Sequence, residues 1–421
     1  MSGDCRRLVT LAFVAAVGAG AAACAGDDAP PPSPPPSTDP NFALTPDEEA
    51  LTAQQLLGKR IFEDLSLSAP AGVGCVSCHD PAQGWSGDNG SSVAGVPESA
   101  AAGTFAARNA PTLGYVADVA PFMVRIDNPA PGEFVMTPVG GLDHDGAVPN
   151  LSDQAGLPFL DPAQLAAPSG DAVVTTIAAG PYAGLFRRVW GEGAFGDKAI
   201  AFKRVEDTLA AYERTARFAP FTSRFDDALR GGTPLTAVEQ EGQAIFLDAA
   251  RGNCASCHAV DATSTTPEAW LFTSRGYATL GVPRNRAIPA NADAAYFDLG
   301  LCQATNLAAA LPLGLDPAIY CGAFRVPTLR NVALTAPYMH NGALATLRDA
   351  VAFHVTRDTS PERWYPMVDG ALALHDDLPP EDQVNLTVTP PFGGAAGGTP
   401  VLNDAEIDAV VAFLGALSDR Q

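Results

Sequence analysis

The sequence predicts a mainly α fold of two similar domains with long irregular loops. Three observations carry that prediction. The pattern Cys-x-x-Cys-His occurs twice, as Cys75-Val76-Ser77-Cys78-His79 and Cys254-Ala255-Ser256-Cys257-His258. Each copy follows a matching segment, Gly58-Lys59-Arg60-Ile61-Phe62-Glu63-Asp64 in the first and Gly242-Gln243-Ala244-Ile245-Phe246-Leu247-Asp248 in the second. Each copy is also followed, much later, by an amphipathic stretch, near 199–216 and 404–418.

The two motifs imply covalent haem. In such a motif the thiols add to the haem vinyl groups and the adjacent imidazole ligates the iron. A four-cysteine zinc site is the rival. Its two pairs normally lie within roughly 15–20 residues of each other, whereas these pairs are about 180 residues apart. Early helix, haem motif and closing helix describe a cytochrome c-type domain. The chain is therefore expected to hold two, at 42–230 and 231–421, parted at the turn-rich Arg230-Gly231-Gly232-Thr233-Pro234.

Taken in order, the N-terminus has the pattern of an exported lipoprotein. Arg6 and Arg7 precede a mostly apolar run from Leu8 to Val17, too short for a span of ~20 residues. Ala21-Ala22-Ala23-Cys24 then resembles a lipobox, which makes 1–24 a signal segment and Cys24 the lipidated residue. Ordinary signal cleavage with an incidental Cys24 is the alternative. Residues 25–41 contain Pro30-Pro31-Pro32-Ser33-Pro34-Pro35-Pro36, an extended tether. The expected location is the periplasm, anchored to a membrane through lipid.

Thr45-Pro46-Asp47-Glu48 offers a helix start with a capping-box Glu, followed by Leu51, Leu57, Ile61 and Phe62 at helical spacing. Thr236 and Glu239 repeat that signal in the second half. Val205, Leu209 and Tyr212 share one face of the first closing helix. Ile407, Val410, Val411 and Leu414 share one face of the second. Stretches rich in Gly, Pro and Ala at 86–107, 127–170, 259–300 and 389–400 read as loops.

Setting aside Cys5, Cys24 and the four motif cysteines leaves Cys302 and Cys321. An oxidising compartment favours a disulfide between them; two unpaired buried thiols are the alternative. The formal net charge of −22 disfavours nucleic acid as a partner. A cationic redox protein, such as a small mono-haem cytochrome, suits the charge better. Lysine occurs only at 59, 198 and 203, so arginine is the expected partner of haem propionates. A homodimer is compatible with the sequence.

Beyond the motifs, the run from Phe324 to Gly342 (FRVPTLRNVALTAPYMHNG), Arg108-Asn109-Ala110-Pro111-Thr112 and Pro361-Glu362-Arg363-Trp364-Tyr365-Pro366 resemble the bacterial di-haem cytochrome c peroxidase family, which includes MauG-type oxidases. The resemblance runs from about Leu56 to Leu417. It implies hydrogen peroxide as substrate and a calcium ion on the Asn109 side chain and the carbonyls of Thr335 and Pro337. Hard oxygen donors suit that ion.

The resemblance also assigns roles to the irons. His79 and His258 are the proximal ligands. The segment 84–107 offers no His, Met or Lys, so the His79 iron is expected to be open. The second distal position is Met in the peroxidases, Tyr in the MauG type, and His354 here; Met339 and Met367 compete for it. His340, Arg325 and Arg330 fall where propionate contacts are expected. The family's aromatic-Trp-Asp-Gly-Arg segment becomes Asp143-His144-Asp145-Gly146-Ala147, which leaves His144 and Asp153 as the candidate acid–base pair. His144 is expected to titrate near neutrality. Three activities follow from the resemblance and the site chemistry: a peroxidase, a MauG-like oxidase of a partner protein's aromatic residues, and a di-haem electron carrier.

Overall fold

The computed structural model describes residues 44–128, 130, 135–311 and 316–420. The expected signal segment, Cys24 and the tether lie outside the described residues. Leu44–Gln421 is one compact unit.

Its elements in chain order are α1 (Pro46–Glu49), α2 (Ala53–Phe62), α3 (Cys75–Cys78), β1 (Met123–Asp127), β2 (Val135–Val139), α4 (Leu151–Leu160), α5 (Gly170–Ala179), α6 (Ala183–Trp190) and α7 (Lys198–Glu213). There follow α8 (Arg224–Leu229), α9 (Ala237–Leu247), β3 (Tyr277–Thr279), α10 (Thr305–Ala310), β4 (Ala323–Arg325), α11 (Leu347–Thr356), β5 (Met367–Val368), β6 (Ala371–Leu372) and α12 (Asp404–Gly415). The strands form three separate antiparallel pairs, with Met123 opposite Val139 and Tyr277 opposite Arg325 in the first two. The architecture is mainly α. Among the described residues no helix is long and apolar enough to cross a membrane.

The repeated Gly is explained by helix crossing. Helix α2 packs on α7, and α9 packs on α12. A Cβ at Gly58 would collide with the Thr208 carbonyl and Tyr212, and one at Gly242 with the Ala409 carbonyl and Phe413. Only glycine lets the backbones approach this closely. The apolar faces read from the sequence are the buried ones, with Val205, Leu209 and Tyr212 in α7 and Ile407, Val410 and Leu414 in α12. Phe225, Phe246, Phe272 and Phe413 close the second core edge to face, with ring centroids 5.6–5.9 Å apart. Each buried aromatic of this kind contributes about 1.5–3 kcal/mol.

Three local expectations are corrected. The start signal at Thr45 opens only the four-residue α1; α2 is capped by Thr52, whose hydroxyl accepts from the Gln55 N–H at 3.3 Å. Leu51 therefore precedes α2. The expected loop at 127–170 contains β2 and α4. Gly156 and Pro158 inside α4 hid its helical pattern, but the Asn150 side chain caps it by accepting from the Asp153 N–H at 3.0 Å. The closing helices are also slightly shorter than read, ending at Glu213 and Gly415.

Candidate functional site

The two haem motifs are built alike. His79 follows α3, and its Nδ1 lies 3.1 Å from the Trp85 carbonyl oxygen. His258 follows a single tight turn at Cys254–Ser256, and its Nδ1 lies 3.1 Å from the Phe272 carbonyl oxygen and 3.2 Å from that of Pro327. Trp85 and Phe272 are both buried and both have left-handed backbone, with φ of 65° and 55°. That conformation is costly for an aromatic residue. In each copy it turns a carbonyl toward the proximal imidazole. A proton fixed on Nδ1 leaves the Nε2 lone pair free, the form that ligates a metal.

A cavity of about 300 Å³ adjoins the second motif. Cys254, Cys257, His258 and His354 line it, with Met339 at its wall. His354 projects from α11, and its Nδ1 donates to the Ala350 carbonyl at 2.7 Å, so its Nε2 is also free. Loss of water from the rings, and then the mutual proximity of the two imidazoles, pushes His258 down to about 4; loss of water likewise lowers His354. Both stay neutral at physiological pH. Met367 is 64 % exposed and stands apart from this cavity.

These residues fit a covalent haem at each motif. Each motif offers two thiols and a neutral imidazole with an oriented Nε2. Burial pushes Cys78 and Cys254 up to about 12, so the thiols rest protonated until they enter a thioether.

His144, Arg325 and His340 line the same cavity. His340 is buried and stacks on Phe324 with ring centroids 3.6 Å apart. Its Nε2 lies 3.3 Å from Asp377, without a well-formed hydrogen bond. A buried unsatisfied imidazole nitrogen is consistent with a site that takes a polar ligand group. Arg325 donates through Nε to the Asp143 carbonyl at 3.0 Å.

His144 Nε2 lies 2.9 Å from the Asn109 carbonyl oxygen. Loss of water, with the nearby Arg108 guanidinium next, pushes His144 down to about 3. The near-neutral titration expected from the sequence is overturned by this environment. Asp153 lies in a different setting. It sits at the start of α4, 47 % exposed, paired with Lys203 at 2.8 Å and accepting from Asn150 at 2.7 Å. The Lys203 hydrogen bond holds its carboxyl below the usual range. Asp153 is a helix-start residue on the surface and does not line the cavity.

Arg330 lines the same cavity as Arg325. It is fully buried, with Nη1 2.6 Å from Asp226, and its other donors take the Trp270 and Pro267 carbonyls. Three of its five N–H donors are engaged with the protein, whereas Arg325 has one such bond, to the Asp143 carbonyl.

Asn109 is buried, and its Nδ2 donates to the Pro337 carbonyl at 2.7 Å and lies 3.4 Å from that of Met339. Thr335 lines the cavity, and its hydroxyl donates to the Val332 carbonyl at 3.2 Å. The donors are all neutral oxygens, which suits calcium. A half-turn of the Asn109 amide would present Oδ1 in place of Nδ2. A disulfide joins Cys302 to Cys321 beside β4.

The sequence reading missed one feature of the site. Arg108 binds Asp298 through Nε and Nη2 at 2.6 and 2.8 Å, and Asp145 through Nη1 at 2.7 Å. Burial pulls Asp298 upward, but Arg108 outweighs it and holds the carboxyl at about 2. Arg108 also lies 5.6 Å from the Phe324 ring centroid. The signal was present in the Arg108-Asn109 step, but its partners come from 37 and 190 residues away.

A family profile described as di-haem cytochrome c peroxidase matches residues 52–233. The chain is 34 % identical to the methylamine utilization protein MauG of Paracoccus denitrificans, over 89 % of this chain and 90 % of that one. It is 27 % identical to the cytochrome c peroxidase Ccp of Escherichia coli, over 79 % of this chain and 60 % of that one. Among solved structures, the di-haem peroxidase BthA of Burkholderia thailandensis superposes with a TM-score of 0.78 at 36 % identity, covering 87 % and 86 % of the two chains. With that identity to MauG over most of both chains and the profile match, the chain belongs to the di-haem cytochrome c peroxidase family that includes MauG.

Proposed function

We propose that this protein is a periplasmic di-haem peroxidase that reduces hydrogen peroxide to water with electrons from a small external redox protein. The overall balance is H₂O₂ plus two electrons and two protons, giving two waters. The two haem domains are 42–230, the peroxidatic half, and 231–421, the electron-transfer half. When bound, the His79 haem supplies an open iron for peroxide and the His258 haem supplies a second oxidising equivalent.

The observation that carries this reading is the pairing of His258 with His354 across one cavity, each with Nδ1 bound to a carbonyl and Nε2 free. That arrangement supports a closed second site. The remaining histidines are engaged otherwise. His144 uses Nε2 on Asn109, His340 stacks on Phe324, and His375 lies 2.8 Å from the Tyr365 hydroxyl. This supports an open first site.

The chain's own residues then divide the work. Trp85 and Phe272 orient the proximal imidazoles through their carbonyls. Arg325 and His340 bind haem propionates. His144 acts as a neutral hydrogen-bonding group that steadies Asn109. Asn109, Thr335 and Pro337 hold a calcium ion between the two halves.

A MauG-like oxidase is the second reading. The 34 % identity to MauG over most of both chains supports it, as does a second site closed without a thioether ligand. EPR of the diferric protein, with and without peroxide, tests the site assignment. One high-spin and one low-spin centre are expected, and a purely low-spin spectrum would sink it. Steady-state peroxide turnover with a reduced cytochrome separates the two readings. Turnover supports the peroxidase. Peroxide-driven oxidation of both centres without turnover favours the oxidase.

A further inference from the structure

Helix α7 ends in a carboxyl that the fold buries and does not satisfy. Glu213 is 4 % exposed, and among the described residues its Oε2 has no hydrogen-bond partner. Two residues on, the Thr215 Oγ1 is likewise enclosed and unpartnered. Burying a polar atom without a partner is costly, so two of them this close in the chain ask for a purpose.

Their place in the fold is the first haem motif. Tyr212 and Phe218, on either side of Glu213 in sequence, pack with Phe62 and Trp85 in one aromatic cluster. The Trp85 and Phe218 ring centroids lie 4.1 Å apart, and Trp85 gives its carbonyl to His79. Glu213 also acts on Cys75, the first haem-attachment thiol. Burial, and then the Glu213 charge, pushes that thiol up.

The surrounding charges do not neutralise Glu213. Arg214 beside it is exposed, and its pull is weaker than the cost of burial, which pushes the carboxyl up to about 8. Helix α2 packs on α7, but its Lys59 and Arg60 are taken by Glu48 of α1, and its Glu63 by Lys59. Glu48, Glu63 and Arg217 act on Tyr212 rather than on Glu213. Near Cys75, Asp64 is bonded to the Tyr182 hydroxyl. Helices α4 and α5 meet α7 at Glu206 and Phe202, about two turns or more away. Of their acids, Asp153 is paired with Lys203 and Asp171 is exposed.

We propose that Glu213 couples a proton to the electron at the His79 centre, holding the proton while that iron is ferrous and releasing it when the iron becomes ferric. Reduction adds one electron to the iron and one proton from solvent to the Glu213 carboxylate, and oxidation returns both. The ferric centre carries one more positive charge than the ferrous one. In a site shut off from water that charge favours the carboxylate. Thr215 is half-buried and Arg214 exposed, so the end of α7 gives the proton a short way out. The coupling deepens the reading above, because peroxide reduction consumes two protons, but it needs only a haem at Cys75 and Cys78.

Redox titrations of the holoprotein without peroxide, from about pH 6 to about pH 9, test it. One of the two midpoint potentials should fall as pH rises through the region of 8. The slope should approach about 59 mV for each tenfold drop in proton concentration. Glu213→Gln, which mimics the neutral acid, should hold that centre at its low-pH potential throughout and leave the other centre as in the unaltered protein. Should Glu213→Gln fail to take up haem, infrared difference spectra of the unaltered protein decide. Reduced minus oxidised, they should show a protonated-carboxyl band that moves when glutamate is isotopically labelled. A slope equal in the parent and Glu213→Gln, a parent without a slope at either centre, or the absence of that band overturns the coupling. Should the protein turn over no peroxide while the slope is present and lost in Glu213→Gln, the peroxidase reading fails and the coupling stands.

Discussion

The Nδ1 of His354 lies 2.7 Å from the carbonyl oxygen of Ala350, one turn earlier in α11. That bond fixes the tautomer and turns Nε2 toward the cavity holding His258. If His354 closes the second iron, His354→Ala should remove a low-spin ferric signal from the EPR spectrum. His354→Met should raise the potential of that centre by tenths of a volt, within the ~0.8 V range that axial ligands span. Redox titration of the two centres checks this. An unmoved potential would show that His354 ligates nothing.

The haem motifs, their duplication and the two closing helices were legible in the sequence because each is a local pattern. His354 as a cavity-lining residue opposite the second motif was readable too, since register along one helix sets it. The polar partners of the site were not. Arg108 meets Asp145 and Asp298 only after the chain has folded, and nothing local marks those carboxylates. Asp153 shows the converse. Its acid–base promise came from alignment with a pattern, while its capping position, visible in Asn150-Leu151-Ser152-Asp153, explains its actual surroundings.

Glycines 58 and 242 invite a matched test. Ala at either forces a Cβ into backbone of the facing helix, and overpacking of this kind costs about 1–3 kcal/mol. Gly184 is the control. It lies exposed within α6, with nothing near its would-be Cβ. Gly184→Ala should stabilise by about 0.5–1 kcal/mol. Denaturant midpoints of the three variants check the contrast. Equal effects would refute close helix crossing as the reason for the repeated Gly.

The Arg330–Asp226 pair is wholly enclosed, with both side chains at zero exposure and 2.6 Å between them. Asp226→Ala strands a buried guanidinium and should cost about 3–5 kcal/mol. Replacing both partners together should cost much less than the two single changes combined. Because Arg330 binds Asp226 and two carbonyls of the protein, Arg330→Met paired with Asp226→Leu should leave the His258-site visible spectrum unshifted. A shifted spectrum would return Arg330 to the role of propionate partner.

Glu213 ends α7, 4 % exposed, with Oε2 lacking any hydrogen-bond partner. Burial pushes its carboxyl up to about 8 from the usual 4.5, with Arg214 opposing only weakly. Between those values the folded protein retains a proton that the unfolded chain has released. Stability must then fall as pH rises through that window, by at most about 1.4 kcal/mol per unit, and level off above about 8. The lowered histidines act oppositely, because the unfolded chain binds their protons first, and their contribution ends near pH 6.5. Comparing the protein with Glu213→Gln cancels them. The variant should match the parent near pH 5 and exceed it by a few kcal/mol at pH 8.5. Parallel stability profiles from pH 5 to 9 would mean that Glu213 is ionised in the folded state, with a cation or donor close enough to offset its burial.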